Sequence, residues 1–457
     1  MAQNTIPDIS RIVQSQRDFF ANGKTVTTDF RKKQLEKLYG AVKRHTDEIG
    51  QALSADLGKS AYESYATETG LALNEIRYLA HHLGSWSKPK RVHTDIFNFP
   101  ARSTIYQEPY GVSLIMSPWN YPLQLTIAPL AAAIAAGNCI VVKPSRYAEA
   151  TSGVIRTIIE ETFQPEYICA LEGGREVNAA LLAEHFDFIF FTGSVAVGKT
   201  VMRAAADHLT PVCLELGGKS PCIVDSTADI PLSARRIIWG KLINAGQTCI
   251  APDYVLADRA IADRLVRELE NQITIQYGSD PLHNSDFPKI INRKHFDRLR
   301  TLAPQADFDE AQNKIAPFIQ PITADEAETA PVMQEELFGP ILPVIPYDTV
   351  GEAVSFIRKR PIPLALYLFS KNRQLQQFII RSLRYGGGCI NDTVMHIASN
   401  TLPFGGMGES GLGSYHGKAG FDMFTHYKSM LAKGTTDFPL RYAPFNNSLD
   451  LLKKMEH

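Results

Sequence analysis

Three residues of the chain could together carry out covalent chemistry on a carbonyl carbon: Cys249, Glu215 and Asn120. Cys249 comes shortly after Gly246, which ends a predicted helix. A turn there would expose the sulfur and point backbone N–H groups at it, which favours the thiolate. A cysteine without identified partners is only a candidate nucleophile, because most buried thiols are inert. That inert role is the expectation for the cysteines in apolar runs, namely Cys139, Cys169, Cys213, Cys222 and Cys389.

A general base and a hydrogen-bond donor could complete such a site. Glu215 lies in an apolar run that begins at Val212, where burial would raise the pKa of its carboxyl and suit it to accept a proton. A carboxylate that caps a helix or pairs with a cation explains Glu215 equally well. Asn120 ends a predicted strand, and its amide could donate to an oxyanion. The commoner role of an asparagine close to a proline, here Pro122, is a helix cap or a turn.

Two glycine-rich segments match phosphate-binding patterns. Residues 193–200 match the P-loop, with an apolar strand before them and a helix after them. A phosphotransferase is therefore a rival function, but Asp225 is the only near candidate to hold its Mg²⁺. Residues 406–411 spell G-x-G-x-x-G, yet no strand precedes them, so a loop is predicted. The first segment is the expected phosphate site, because a glycine loop opens a helix there.

The elements that must position these residues form two series. The first ninety residues predict amphipathic helices, the third of them running from about Tyr62 to Trp86. From Ser103 onwards strands alternate with helices, which predicts a parallel, doubly wound sheet. The predicted strands of this first series are Val112–Met116, Cys139–Val142, Tyr167–Leu171 and Phe188–Phe191, with helices at about 123–136 and 150–163.

A second strand–helix series begins near Pro211, so we place a domain boundary at about residue 212. Its predicted elements are strands at Cys222–Asp225, Tyr254–Ala257 and Ile341–Ile345, a helix over 231–244 and a helix from Ala260. Residues 391–429 are rich in glycine and aromatic residues and lack periodicity. This segment is expected to be an irregular surface loop or an interface arm.

The composition restricts the class of protein. A chain of 457 residues with 44% hydrophobic residues predicts two or three globular domains. A net charge of −1 does not favour binding to nucleic acid or to an anionic membrane. Six cysteines without paired short spacings predict neither disulfides nor a metal site. The N-terminus does not resemble a signal peptide, and the longest apolar run, residues 127–142, is too short to span a bilayer. A cytoplasmic protein is expected.

Five motifs, read in order, resemble the signature set of the aldehyde dehydrogenase superfamily. They are Phe191-Thr-Gly-Ser, Leu214-Glu-Leu-Gly-Gly-Lys, Gly246-Gln-Thr-Cys, Glu335-Glu-Leu-Phe-Gly-Pro and Pro403-Phe-Gly-Gly-Met-Gly-Glu-Ser-Gly. The resemblance covers about residues 105–428. Segments starting at Cys249, Tyr415, Phe424 and Arg441 are similar to the class 3 branch of that family.

The resemblance implies an α/β fold with two doubly wound parallel-sheet domains, one Rossmann-like for the cofactor and one catalytic, plus a small β oligomerisation arm. It places an NAD(P)-binding domain at 1–211, with 90–109 contributing to the arm. The catalytic domain would be 212–390, and 391–457 would form the arm and C-terminal segment. The chain begins at the first helix, as in dimeric relatives, so a homodimer is expected. Because 435–457 is polar, no membrane anchor is expected there.

By the same resemblance, the reaction is oxidation of an aldehyde to a carboxylic acid through a thioester on Cys249. Glu215 would be the base for deacylation, and the Asn120 amide with the Cys249 N–H would form the oxyanion hole. The cofactor would be held by Trp119, Lys143, Ser145, Arg146, Thr192, Gly193, Ser194, Leu216, Glu336 and Phe338. A cofactor-independent thiol hydrolase that uses Cys249 remains an alternative. The substrate is not evident from the sequence, although Tyr121, Phe404 and Tyr415 could line an apolar pocket.

One departure from the family pattern bears on the cofactor. NAD-specific members commonly carry Lys-Pro-Ser-Glu, where the glutamate binds the ribose 2′-hydroxyl, but this chain has Lys143-Pro-Ser-Arg146. A guanidinium cannot accept from that hydroxyl, but it can pair with a 2′-phosphate. We therefore expect NADP⁺ to be accepted and preferred over NAD⁺. The alternative is an arginine that points to solvent while Lys143 and Ser145 bind either cofactor.

Overall fold

The computed structural model describes residues 8–437, 441–445 and 448–455. Its helices begin where the sequence supplies caps. The Asp8 carboxylate accepts from the N–H of Arg11, and the Thr27 hydroxyl accepts from the N–H of Phe30. The predicted C-terminal segment is covered only in part, since residues 438–440, 446–447 and 456–457 lie outside the described residues.

The helices and strands follow the predicted alternation. The helices are α1 Ile9–Ala21, α2 Thr28–Arg44, α3 Thr46–Leu57, α4 Ala61–Ser64, α5 Gly70–Trp86, α6 Gln124–Ala136, α7 Glu149–Thr162, α8 Arg175–Leu182, α9 Val195–Asp207, α10 Ile230–Leu242, α11 Ala262–Tyr277, α12 Arg293–Leu302, α13 Glu326–Thr329, α14 Pro331–Gln334, α15 Val350–Arg358, α16 Arg373–Ser382, α17 Gly417–Met423 and α18 Ser448–Met455. The strands are β1 Lys90–Val92, β2 Ala101–Pro109, β3 Val112–Met116, β4 Cys139–Lys143, β5 Ile168–Ala170, β6 Phe188–Thr192, β7 Val212–Glu215, β8 Pro221–Val224, β9 Tyr254–Asp258, β10 Phe308–Asp309, β11 Lys314–Ile315, β12 Phe318–Pro321, β13 Ile341–Tyr347, β14 Ala365–Phe369, β15 Gly387–Ile390, β16 Gly411–Leu412 and β17 Thr425–Lys433.

The first large sheet has the strand order β16-β7-β6-β3-β4-β5. All its neighbouring pairs are parallel except β16 with β7. Strands β3, β4 and β6 are buried along their whole length, and so is α6. Such continuous burial explains why these segments read as unbroken apolar runs, since parallel strands are covered on both faces. The N-terminal helices α2 and α5 pack onto this layer through α6.

The second large sheet has the order β12-β13-β9-β8-β14-β15 and is parallel throughout. Two mainly parallel sheets, which follow one another along the chain, confirm the predicted α/β class. Helix α8 was not predicted, because its two turns bury only Val177 and Leu181 and give little periodic signal.

The change from one sheet to the other falls later than the predicted residue 212. Strand β7 pairs with β6 and therefore belongs to the first sheet. The second sheet begins with β8, so the change lies between Glu215 and Pro221. A short apolar strand carries no information about which sheet it joins, because long-range pairing decides that.

A third sheet is antiparallel, with the order β1-β2-β17. Strand β17 runs the full length of β2, from Thr425 opposite Pro109 to Lys433 opposite Ala101. The segment after residue 390 nevertheless does more than form this sheet. Its strand β16 joins the first large sheet, and α17 packs against α5 and α6. In the part of the chain that the structure describes, no helix has the length and apolar character needed to cross a membrane.

Candidate active site

The segment that carries Cys249 is a left-handed turn after α10. Asn244, Ala245 and Gly246 have φ values of 53°, 51° and 76°. Left-handed backbone is unfavourable for residues with a Cβ, so two of these positions need support from their surroundings. At the third, glycine is required, because a Cβ on Gly246 would lie 2.2 Å from the carbonyl oxygen of Gly339. The turn directs the chain back so that Cys249 lines a cavity of about 640 Å³.

Buried amide side chains hold this turn in place. The Nε2 of Gln247 donates to the carbonyl oxygen of Lys289 at 3.0 Å, and its Oε1 accepts from the N–H of Ile291 at 3.0 Å. The Nδ2 of Asn244 donates to the carbonyl oxygen of Asn120 at 2.7 Å. These hydrogen bonds link the turn to the loop after β3 and to the segment before α12.

The environment of Cys249 disfavours the thiolate. Burial raises the pKa of the thiol, and the carboxyls of Glu336 and Glu215 raise it further. The backbone N–H groups of Cys249 and Ile250 act in the opposite direction but do not prevail. The N–H groups of the turn thus favour the thiolate as expected, but burial and the two carboxyls outweigh them and leave the pKa of the thiol raised. The sulfur needs a base to take its proton.

Glu215 lines the same cavity as Cys249. It ends β7 and is 2% exposed. Its Oε1 lies 3.8 Å from the Cys213 sulfur, whereas its Oε2 has no hydrogen-bond partner within the described residues. Burial raises the pKa of this carboxyl well above its ordinary value. The structure thus brings together the thiol and the carboxyl that the sequence singled out.

Asn120 lies beside the left-handed turn that leads to Cys249 rather than in the cavity wall. Its Nδ2 donates to the carbonyl oxygen of Gln247 at 3.0 Å. Its own carbonyl oxygen accepts from Lys59 and from Asn244. Asn120 is buried and does not line the cavity that contains Cys249.

Most of the cavity wall is apolar. Tyr121, Phe404 and Tyr415 line it, as suggested from their positions in the sequence. The lining residues that sequence reasoning missed include Glu63, Trp239, Val394, Met395 and Ile397. They come from α4, from α10 and from the segment after β15, and no motif or periodicity connects these regions.

The loop after β4 carries the residues expected at the adenosine end of a cofactor. Lys143 is buried, and its Nζ donates to the carbonyl oxygen of the adjacent Pro144 at 2.8 Å. Burial lowers its pKa to about 8, and the nearby Arg146 acts in the same direction. Arg146 itself is exposed, and a Cβ on Gly174 would lie 3.0 Å from its Nη1. The hydroxyl of Ser145 accepts from the N–H of Tyr147 at 3.3 Å.

The start of α9 offers a phosphate-binding geometry. Ser194 caps the helix, its hydroxyl accepting from the N–H of Val197. The N–H of Gly193 donates to the Glu215 carbonyl oxygen at 3.0 Å, which joins this loop to the end of β7. Thr192 is buried, and its hydroxyl has no partner within the described residues. Leu216 packs so closely on Gly198 that a Cβ there would lie 2.6 Å from it.

The rival magnesium site is not supported by the geometry. Asp225 directly follows β8 of the second sheet, whereas the glycine loop follows β6 of the first sheet. The carboxylate of Asp225 accepts from Ser226, Thr227 and Ser370 within its own sheet. Residues 406–411 form a loop with a short 3₁₀ turn before β16, as predicted.

The loop before β13 carries Glu336 and Phe338, two of the residues expected to hold the cofactor. The Glu336 carboxylate lies against the backbone of Gly217, where a Cβ would lie 2.0 Å from its Oε2. Burial raises the pKa of Glu336 to about 8, and Asp253 adds to the rise. Phe338 has a left-handed φ of 50°, and its ring lies edge-on to Trp119 with centroids 5.4 Å apart. A helix N-terminus, a buried lysine and a threonine hydroxyl that has no partner within the described residues are groups that can hold the phosphates and ribose of a dinucleotide.

Comparisons with known proteins agree with this geometry. The model of the aldehyde dehydrogenase family matches residues 1–430. The chain is 46% identical over 426 residues to the 4,4′-diaponeurosporen-aldehyde dehydrogenase of Staphylococcus aureus, covering 91% of this chain and 92% of that protein. It is 42% identical to rat aldehyde dehydrogenase family 3 member B1, covering 95% and 94% of the two chains. It is also 42% identical to the dog enzyme named "aldehyde dehydrogenase, dimeric NADP-preferring", covering 93% and 94%.

A solved structure shares the fold almost completely. The substrate-bound state of Staphylococcus aureus AldH superposes with a TM-score of 0.95 at 43% identity, covering 98% of this chain and 99% of that one. The family 3 relatives confirm the class 3 resemblance that the motifs suggested. Since both the family model and these relatives span nearly the whole chain, this protein is an oxidoreductase that belongs to the aldehyde dehydrogenase family.

Proposed function

We propose that Cys249 is the nucleophile and Glu215 the general base of an NAD(P)-dependent aldehyde oxidation. The observation that carries the proposal is that both side chains line one cavity. They come from different parts of the chain, since Glu215 ends β7 of the first sheet and Cys249 comes after β8 of the second sheet. Each group is poorly solvated, which raises the pKa of the thiol and of the carboxyl. A buried base with a raised pKa is suited to accept a proton near neutral pH.

In the proposed reaction, the Cys249 sulfur gives up its proton to solvent water and forms a bond to the aldehyde carbon, producing a thiohemiacetal. Asn120, with the N–H of Cys249, would donate to the oxygen that becomes negative. The nicotinamide, when bound, supplies the acceptor for the hydride that leaves this carbon. Glu215 then takes a proton from water as the water oxygen attacks the thioester. The carbon–sulfur bond breaks, and the products are a carboxylic acid and the regenerated thiol.

We assign the cofactor to the cleft between the first sheet and the loop before β13. Lys143, Ser145 and Arg146 would hold the adenosine ribose. Glu336 and Phe338 would hold the nicotinamide ribose and ring. The wall between these ends would be formed by Trp119, Thr192, Gly193, Ser194 and Leu216. In this assignment residues of the first sheet bind the cofactor, and the second sheet with its loops supplies Cys249.

We infer that NADP⁺ is preferred over NAD⁺. The support is Arg146, an exposed cation at the position where NAD-specific relatives have a carboxylate. A guanidinium attracts the 2′-phosphate, whereas a carboxylate would repel it. A relative of the same length is named NADP-preferring.

The cavity favours an apolar aldehyde, of medium chain length or with an aromatic ring. Its wall is largely aliphatic and aromatic, and three apolar side chains of that wall, those of Tyr62, Trp239 and Met395, are exposed at its edge. The Staphylococcus aureus relative is named as a 4,4′-diaponeurosporen-aldehyde dehydrogenase.

We further propose a homodimer in the cytoplasm. The antiparallel sheet β1-β2-β17 exposes large apolar side chains, among them Tyr106, Met430 and Leu431, as an interface between protomers would. The dog relative is named as dimeric. All six cysteines are free thiols, which is typical of a reducing compartment. Sedimentation velocity would test the dimer directly.

The decisive experiment measures reduced nicotinamide by absorbance with a panel of aldehydes, for the wild type and for Cys249→Ala. We expect the variant to lose oxidation while it still binds NADP⁺ in a calorimetric titration. Normal turnover by Cys249→Ala would overturn the assignment of the nucleophile. Ester hydrolysis without aldehyde oxidation in the wild type would favour the thiol-hydrolase alternative instead.

A further inference from the structure

A π-helical turn, Tyr65–Thr69, separates α4 from α5. In a π turn each N–H pairs with the carbonyl five positions earlier, so residues i and i+5 come close to the same face. Glu63 and Glu68 have this spacing, and both carboxylates are buried against the active-site loops. π turns inside helices occur frequently at functional sites, which led us to ask what the two carboxylates hold.

Glu68 binds the loop that carries Asn120. Its Oε1 lies 2.6 Å from the Lys59 Nζ, and both side chains are fully buried. Lys59 in turn donates to the carbonyl oxygen of Asn120 at 3.2 Å. The Oε2 of Glu68 accepts from the N–H of Leu123 at 2.8 Å, at the start of α6. Through Lys59 and the N–H of Leu123, this carboxylate therefore holds the loop that carries Asn120.

Glu63 binds the left-handed turn of residues 244–246, which we call the nucleophile turn because it leads to Cys249. Its Oε1 accepts from the N–H of Asn244 at 2.6 Å, and the residue is 9% exposed. Asn244 is the first of the three successive left-handed residues that lead to Cys249. Glu63 also lines the cavity, so it reaches the turn from the side on which substrate would bind. Without this acceptor a buried N–H would lose its partner at the point where the backbone conformation is least favourable.

The charges around Glu63 do not decide whether it can accept this hydrogen bond. Lys59 stabilises its charged form, whereas Glu68 and Asp286 oppose it, and burial raises its pKa to about 7. Both protonation states keep an oxygen that can accept from Asn244. The contact thus depends on the reach and shape of the side chain more than on its charge.

We propose that Glu63 is a positioning residue for Cys249: it holds the left-handed turn that places the sulfur in the cavity. The inference rests on the proposed role of Cys249 as the nucleophile. A shift of the reacting atom by about 1 Å can lower a rate by about a hundredfold, so loss of this hold would appear mainly in kcat.

Two near-isosteric variants separate positioning from charge. Glu63→Gln keeps an oxygen at the same reach but cannot be ionised. Glu63→Asp keeps the carboxylate but shortens the side chain by one carbon, about 1.5 Å. We expect Glu63→Gln to retain kcat within about threefold. We expect Glu63→Asp to lose about ten- to a hundredfold in kcat, with little change in KM for the cofactor.

The rate at which iodoacetamide alkylates Cys249, followed by peptide mass spectrometry, provides a readout of the sulfur that is independent of turnover. It should fall in Glu63→Asp and stay close to wild type in Glu63→Gln. Asp187→Ala is the matched control. Asp187 also accepts from a backbone N–H, that of Val112 at 2.8 Å, but at the opposite end of β3 from Asn120. This variant should lower the thermal midpoint without changing kcat or the alkylation rate.

The outcomes distinguish the two proposals. Normal kcat in Glu63→Asp, or a Glu63→Gln variant as impaired as Glu63→Asp, would overturn the positioning role while leaving Cys249 as the nucleophile. If alkylation of Cys249 in the wild type leaves aldehyde oxidation intact, the nucleophile assignment fails and the role of Glu63 fails with it.

Discussion

Glu215, at the end of β7, and Cys249, in the segment before β9, line one cavity. Burial raises the pKa of both groups, and the carboxyls of Glu336 and Glu215 raise that of the thiol further. In the proposed reaction the attacking water can then pass a proton to this buried carboxylate, once the carboxylate is ionised. The predictions below follow from this arrangement and from the residues around it.

Glu215→Gln should separate the two halves of the reaction. The amide has the shape of the carboxyl but cannot accept a proton, so hydrolysis of the thioester should slow by about 10²- to 10⁴-fold. Stopped-flow absorbance should then record a burst of reduced nicotinamide close to one per active site, followed by a slow steady state. Glu166→Gln, at an exposed position, serves as the control. A steady-state rate within a few-fold of wild type would exclude Glu215 as the base.

Arg146→Glu should reverse the charge that favours the 2′-phosphate. Hydrogen bonds to charged groups contribute about 1.5–3 kcal/mol, so the ratio of kcat/KM for NADP⁺ to that for NAD⁺ should fall by about ten- to a hundredfold. Arg203→Glu, an exposed arginine later in α9, should leave the ratio unchanged. An unchanged ratio in Arg146→Glu would mean that the guanidinium points to solvent when the cofactor is bound.

Binding of NADP⁺ should weaken as the pH rises through about 8. The pKa of Lys143 is lowered to about 8, so its positive charge is present below this pH and is lost above it. If the charge attracts the cofactor, the Kd should increase by up to about tenfold for each pH unit above 8. Calorimetric titrations between pH 7 and 9.5 measure this slope. Lys143→Met should bind more weakly at pH 7 and give a flatter profile, and equal slopes would contradict the role of Lys143.

Gly246→Ala should destabilise the fold and impair catalysis. The added Cβ would meet the Gly339 carbonyl oxygen at 2.2 Å, and the φ of 76° disfavours any side chain. Overpacking and left-handed strain together predict a loss of about 2–4 kcal/mol. Gly84→Ala is a matched control, since nothing lies within 4 Å of its Cβ position and it lies inside α5. There alanine should raise the thermal midpoint, because it favours the helix.

The strand–helix alternation could be predicted from local sequence, and Cys249 and Glu215 could be singled out as candidate reactive residues. The strands are short apolar runs and the motifs around these two residues are contiguous, so each can be recognised without knowing what packs around it. The charge of Arg146 was likewise visible, since a substitution within a short motif changes which phosphate or hydroxyl it can bind.

Other features depend on contacts between distant segments. Local sequence could not assign β7 to the first sheet, because strand pairing is a long-range property. The amides near Cys249 suggested a thiolate, yet desolvation by the whole cavity and the nearby carboxyls outweigh them. Glu63 has the sequence pattern of an ordinary helical glutamate, and only the tertiary structure shows that its carboxylate accepts from the N–H of Asn244.

The sequence by itself determined which residues can react and the class of fold that carries them, because side-chain chemistry and the periodicity of apolar residues are local. The tertiary structure decided which of these residues meet, how far each is removed from water, and which distant carboxylate holds the nucleophile turn. Those properties arise from burial and from contacts between segments far apart in the chain, and no short stretch of sequence contains them.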